Sequence, residues 1–173
     1  MRIPQKPAVV LAAAVALAGL TALAGLTALA GLTALGGGPA TAAPRDPVAV
    51  SLQVSSDGTN LDEYEGGEVW TRDARLTFQD WVISQLDDGS FRIKGTHYDR
   101  CVTDNGVGNP VTLKGCNAND PAQRWIFDIG SERTVVESVK DRRTGLQANG
   151  PNQPVTLEPL DDNPAQEWTP YEK

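Results

Sequence analysis

Short runs in which apolar and polar residues alternate dominate this chain beyond its first forty residues. "VAVSLQV" (48–54), "GSFRIKG" (89–95), "VTLKGC" (111–116), "TVVESVK" (134–140) and "VTLEPL" (155–160) are rich in β-branched residues and are bounded by Asp-Gly, Asn-Gly, Asn-Pro or Asp-Asp. Successive side chains of a strand point to opposite faces, so these runs predict short strands with one buried face, joined by turns. No stretch keeps a helical period over a useful length. The prediction is an all-β domain.

The N-terminus breaks this pattern. "MRIPQKP" carries the only two cations before Arg45, and the apolar run from Leu11 to Leu35 contains three copies of "ALAGLT". "ATA" at 40–42 then supplies the small residues at which a signal peptidase cuts, so residues 1–42 read as a secretory signal cleaved after Ala42. The alternative is an uncleaved membrane anchor, since the run is long enough to span a bilayer. Its many Gly, Ala and Thr residues make it weakly apolar. A short N-terminal segment (43–47) and one domain (48–173) remain, which fits a single hydrophobic core.

Cleavage removes Arg2 and Lys6 but no acid, leaving 13 cations against 22 anions and a net charge of −9. Such a surface repels nucleic acid and strongly anionic glycans. Cys101 and Cys116 lie fifteen positions apart in a chain expected to reach an oxidising compartment, where they should form a disulfide. Two unrelated free thiols are the alternative.

Internal repetition is the strongest signal. Gln79-Asp80-Trp81, Gln123-Arg124-Trp125 and Gln166-Glu167-Trp168 place tryptophans 44 and 43 residues apart, a period that marks a repeat architecture. "PVTLKGCNANDPAQRW" (110–125) lies over "PVTLEPLDDNPAQEW" (154–168) with one deletion. The repeats run over about 48–82, 83–126 and 127–173. The first has drifted further, and setting Asn60 against Cys101 and Val69 against Leu113 leaves its middle loop about three residues shorter. Residues i and i+2 of a strand share a face, so Gln79 and Trp81, Gln123 and Trp125, and Gln166 and Trp168 are expected to point inward together as structural core. Three equal units around one core imply pseudo-threefold symmetry.

With these motifs the chain resembles a ricin-type β-trefoil lectin domain, in which three Gln-x-Trp units form a six-stranded barrel capped by three hairpins. The likeness covers about residues 46–173 and is strongest over "RCVTDNGVGNPVTLKGCNANDPAQRWIF" (100–127), where the family's intra-unit disulfide falls on Cys101 and Cys116. The resemblance implies sugar sites with four parts: an Asp two residues after the first cysteine, an aromatic platform two before the second, a polar residue before that, and an Asn ahead of the Gln-x-Trp. A carboxylate takes sugar hydroxyls in charge-assisted hydrogen bonds, and a ring stacks on the apolar face of a pyranose.

Unit two offers Thr103, Lys114, Thr112 and Ala122 at these places, with Asp104 one residue off register. Unit three offers Gln147, Glu158, Thr156 and Ala165. Unit one keeps most, with Asp62 as carboxylate, Trp70 as platform and Glu68 as polar residue, while Phe78 replaces the Asn. The competing reading is that Trp70 packs over the shortened loop and Asp62 caps a turn.

Nothing points to catalysis. The sole histidine, His97, has no partner for a metal set and reads as a surface turn residue, and no nucleophile motif is present. Acid-rich turns such as "NLDEYE" read as solvated surface, though a glycosidase pair is not ruled out by counting. The expectation is a secreted, non-catalytic carbohydrate-binding module for galactose-like or polysaccharide ligands, needing neither metal nor cofactor, with no nucleic-acid partner and no membrane contact after cleavage. The alternative is a protein-binding trefoil with eroded sugar sites, either a protease inhibitor or an adhesion subunit facing an extracellular protein.

Overall fold

The computed structural model describes residues 46–73, 78–127 and 132–173. Residues 1–42, read from sequence as a secretory signal with an expected cut after Ala42, lie outside the described residues. The strands in chain order are β1 (Val48–Val54), β2 (Asn60–Tyr64), β3 (Glu68–Arg72), β4 (Trp81–Gln85), β5 (Phe91–Gly95), β6 (Cys101–Thr103), β7 (Thr112–Lys114), β8 (Trp125–Ile126), β9 (Thr134–Val135), β10 (Glu137–Ser138), β11 (Thr144–Gln147), β12 (Gln153–Pro154), β13 (Thr156–Pro159) and β14 (Glu167–Glu172). The domain is all-β, as the alternation predicts.

Six staves close into a barrel. β1 pairs with β4, β4 with β5, β5 with β8, β8 with β10, β9 with β14 and β14 back with β1, all antiparallel. β9 and β10 flank Val136 and together form one stave. Closure leaves the barrel without a free edge. Three hairpins, β2–β3, β6–β7 and β11–β13, cap one end. They meet around buried Val69, Val111 and Val155, where Val111 N–H donates to the Val155 carbonyl (2.9 Å) and Val155 N–H to the Val69 carbonyl (2.8 Å). This is a β-trefoil.

Each Gln-x-Trp performs one task three times. Trp81, Trp125 and Trp168 are fully buried, and their Nε1 groups donate to the carbonyls of Leu61 (3.0 Å), Val102 (3.2 Å) and Leu146 (3.0 Å). A buried indole thus removes a large apolar surface from water without orphaning its N–H. The buried Gln amides do likewise. Gln79 Nε2 donates to Asp62 Oδ2 and the Asp73 carbonyl, Gln123 Nε2 to Thr103 Oγ1 and the Gly115 carbonyl, and Gln166 Nε2 to Gln147 Oε1 and the Pro159 carbonyl.

Two motifs are preceded by a 3-10 turn, Pro121–Gln123 and Pro164–Gln166, which the alternation pattern does not reveal. Asp120 and Asn163 cap them, accepting from Ala122 N (2.9 Å) and Ala165 N (3.0 Å), and Pro opens each at a position that needs no donor. "DPAQ" and "NPAQ" are therefore small cap-and-turn devices that aim Gln and Trp inward. The Cys101–Cys116 disulfide forms within repeat two.

Candidate functional site

Strand register fixes which residues correspond between repeats. Leu61 opposes Thr71, Val102 opposes Leu113 and Leu146 opposes Leu157; Asn60, Cys101 and Gly145 oppose Arg72, Lys114 and Glu158. The Val69–Val111–Val155 ring and the carbonyls that receive the three Gln amides give the same correspondence.

This corrects the sequence alignment of repeat one by two residues. Val69 matches Val111 rather than Leu113, Trp70 matches Thr112 and Thr156, and Glu68 matches Pro110 and Pro154. Arg72, not Trp70, holds the position expected of the aromatic platform. The three missing residues are divided as well, one from the β2–β3 turn and two from the segment before Gln79.

Asp62, Glu68 and Trp70 nonetheless share one face of the β2–β3 hairpin, because Asp62 and Trp70 are direct cross-strand partners and Glu68 lies two residues before Trp70. Trp70 Nε1 donates to Glu68 Oε2 (2.8 Å), and its ring stacks on Tyr64 with centroids 4.2 Å apart. Tyr64 corresponds to Asn105 and Asn149, whose amides bond Thr112 Oγ1 and Thr156 Oγ1. An aromatic stack in repeat one thus replaces an Asn–Thr hydrogen bond in the other two.

A cleft of about 270 Å³ opens beside this stack, lined by Asp62, Glu63, Tyr64, Glu65, Arg72, Phe78 and Tyr98. Glu68 and Trp70 are not among its described lining residues, but Trp70 backs the cleft through its stack on Tyr64 and lies with its ring centre 5.9 Å from the Arg72 guanidinium. Asp62 is 1% exposed, with Oδ2 accepting from Gln79 (3.3 Å) and Oδ1 lying 4.0 Å from Arg72 Nε. Burial pushes its carboxyl above the usual carboxylate range, while the Gln79 amide and the Arg72 guanidinium pull it back. The Arg72 guanidinium also lies 4.6 Å from the Tyr64 ring centre.

Around the cleft, Phe78 meets His97 edge-on with centroids 4.2 Å apart, and Tyr98 lies parallel to Phe78 at 6.3 Å. The site therefore offers an acceptor, a cationic donor and three rings. An acceptor next to a donor suits a ligand with neighbouring hydroxyls, and the rings suit an apolar face. The sequence reading missed Tyr64, Arg72 and Tyr98. The usable signal was "VWT" at 69–71, which shares its Val and strand phase with the "VTL" of the other repeats.

The equivalent places in repeats two and three lack this chemistry. Thr103 and Gln147 stand for Asp62, each engaged by its own Gln. Asp104 turns away, accepting from Ser138 Oγ (2.6 Å) with Lys140 Nζ at 3.7 Å.

Comparison with solved structures gives a consistent picture of the fold. The designed threefold-symmetric protein ThreeFoil matches with a TM-score of 0.66 at 16% identity, covering 72% of this chain and 99% of that one. The C-half of an earthworm R-type lectin in complex with GalNAc matches with a TM-score of 0.58 at 16% identity, covering 73% and 99%. A mosquitocidal holotoxin matches with a TM-score of 0.67 at 13% identity over 75% of this chain, which spans only 17% of the toxin chain. No curated protein sequence matches. Residues 51–168 match the family model of the ricin-type beta-trefoil lectin domain, and the chain belongs to that family.

Proposed function

We propose that the protein is a secreted, non-catalytic carbohydrate-binding module whose ligand site is the cleft of repeat one. One observation carries this reading: of the three equivalent positions Asp62, Thr103 and Gln147, only the first is a carboxylate, and it lies at the edge of a cleft walled by Tyr64, Phe78 and Tyr98. A ligand hydroxyl would donate to Asp62 and a neighbouring one would accept from Arg72, while a ring covers the apolar face of the sugar. The cleft is at the small end of ligand sites, which suits one pyranose ring or the end of a chain. The earthworm lectin's complex with GalNAc supports a galactose-like ligand as the first to test.

A glycan array probed with the protein and its Asp62→Asn variant tests this. The substitution keeps an oxygen for Gln79 but removes the charge. Signals on terminal galactose-like or polysaccharide probes should fall at least roughly tenfold in the variant, the worth of one charge-assisted hydrogen bond. A blank array for the unmodified protein sinks the reading and favours a trefoil that binds proteins. Equal signals from both move the site away from repeat one.

A further inference from the structure

Tyr98 and His97 belong to repeat two, yet they stand at the repeat-one cleft, and the structure shows what holds them there. Glu63 follows Asp62 on β2 and points to the opposite face. It is 1% exposed, and its carboxylate oxygens accept the backbone N–H groups of His97 (2.9 Å) and Tyr98 (3.1 Å). The turn is also held by a bond from Thr96 N–H to the Asp80 carbonyl (3.1 Å), a Gly95–Arg100 backbone bond (2.9 Å), the Phe78 ring against His97 and Tyr98, packing of Tyr98 on the core, and an exposed Lys94–Asp99 pair. An exposed pair of that kind contributes little. The bonds to Glu63 are the ones made to a buried carboxylate, and bonds of that kind are the stronger ones.

The other repeats show that this arrangement is particular to repeat one. Gly95 and Ser138 occupy equivalent places, each opposite the Trp of its motif on the neighbouring strand. His97 and Tyr98 therefore correspond to Lys140 and Asp141. Asp104, the counterpart of Glu63, engages Ser138 and Lys140 and delivers no ring. Ala148 is the counterpart in repeat three and has nothing with which to hold a turn.

We propose that the repeat-one cleft is completed by repeat two: Glu63 is a positioning residue that docks the His97–Tyr98 turn, and Tyr98 is the ligand-facing wall it delivers. The ligand part rests on the carbohydrate reading above. The ligand class is a pyranose with an apolar face turned toward Tyr98 and hydroxyls turned toward Asp62 and Arg72. The site so built spans two repeats.

The test uses the full chain and three variants, Glu63→Gln, Tyr98→Ala and the double variant. Amide hydrogen exchange is followed by NMR and affinity by titration with N-acetylgalactosamine. Glu63→Gln places an amide donor against one of two N–H groups, so exchange at His97 and Tyr98 should quicken at least roughly tenfold, while amides of the β11–β13 hairpin keep their rates. Affinity should fall by a similar factor in both single variants, and the double variant should lose no more than either, because both act through one contact.

Unchanged exchange at His97 and Tyr98, unchanged affinity in Tyr98→Ala, or fully additive losses would each overturn the proposal. If the unmodified protein ignores both N-acetylgalactosamine and the glycan array, the carbohydrate reading fails and Tyr98 loses its ligand role. The exchange rates then decide the docking by themselves.

Discussion

Gly95 lies against the side chain of Glu63 so closely that a Cβ on Gly95 would overlap the carboxylate. The equivalent pair in repeat two is Asp104 with Ser138, joined by a 2.6 Å hydrogen bond, and the matching positions in repeat three and repeat one are Ala148 and Val54. A long acid faces no side chain, and a shorter acid faces a small hydroxyl. Gly95→Ala should therefore cost about 2 kcal/mol by overpacking. The double change Glu63→Asp with Gly95→Ser, which copies the pair of repeat two, should recover most of that loss. Urea midpoints of the two variants and the unmodified protein check it, and a neutral Gly95→Ala would show that Glu63 has room to move.

Titration of Asp62 gives a second expectation. Its carboxyl is raised by burial above its unfolded value, so the folded state holds the proton more tightly than the unfolded state. The stability this group contributes is full below the unfolded value and is lost as pH rises through the folded one. Asp62→Asn should remove that decline and be at least as stable as the unmodified protein at neutral pH. Ligand affinity should run the other way, since the charged form accepts hydroxyls best, and should weaken on acidification beginning above the usual carboxylate range. Paired stability and affinity profiles against pH check both signs.

Core and surface tryptophans should separate cleanly. Trp125 is fully buried, and Trp125→Ala should cost about 3–5 kcal/mol. Trp70 is half-buried and stacked on Tyr64, so Trp70→Ala should cost about 1 kcal/mol. Because Trp70 reaches the cleft only through Tyr64, on which it stacks, its loss should weaken ligand affinity less than Tyr98→Ala does. Chemical denaturation and titration together decide this.

Reduction of Cys101–Cys116 should lower the unfolding midpoint without abolishing the fold. The bridge closes a loop with a sequence separation of 15, worth roughly 3 kcal/mol on the chain-entropy model, while the tryptophan core is untouched. Thermal melts with and without reductant, read by near-ultraviolet circular dichroism, provide the comparison.

The fold was legible because it is written in residues whose burial leaves few substitutes. Each Gln-x-Trp needs an indole to fill the barrel and an amide to satisfy carbonyls, so the motif recurs while its surroundings drift. The site was less legible. Trp70 is the one tryptophan outside the motifs, and setting Val69 against Leu113 places it two residues out of register, where Arg72 belongs. Val69 belongs with Val111 and Val155, which it meets at the centre of the three hairpins, because a buried position around a threefold axis tolerates little change in size. Glu63 and Tyr98 could not be paired from sequence at all. Their meeting depends on how repeat two wraps against repeat one, 35 positions along the chain.

That one cleft, in repeat one and completed by repeat two, holds the ligand is tested most directly by NMR shift mapping of the isotope-labelled protein titrated with N-acetylgalactosamine. Shifts are predicted to gather at Asp62, Tyr64, Arg72, Phe78, Gln79 and Tyr98, with the amides around Thr103 and Gln147 unmoved. Shifts centred on Thr103 and Lys114, or on Gln147 and Glu158, would contradict it, as would a spectrum that does not change.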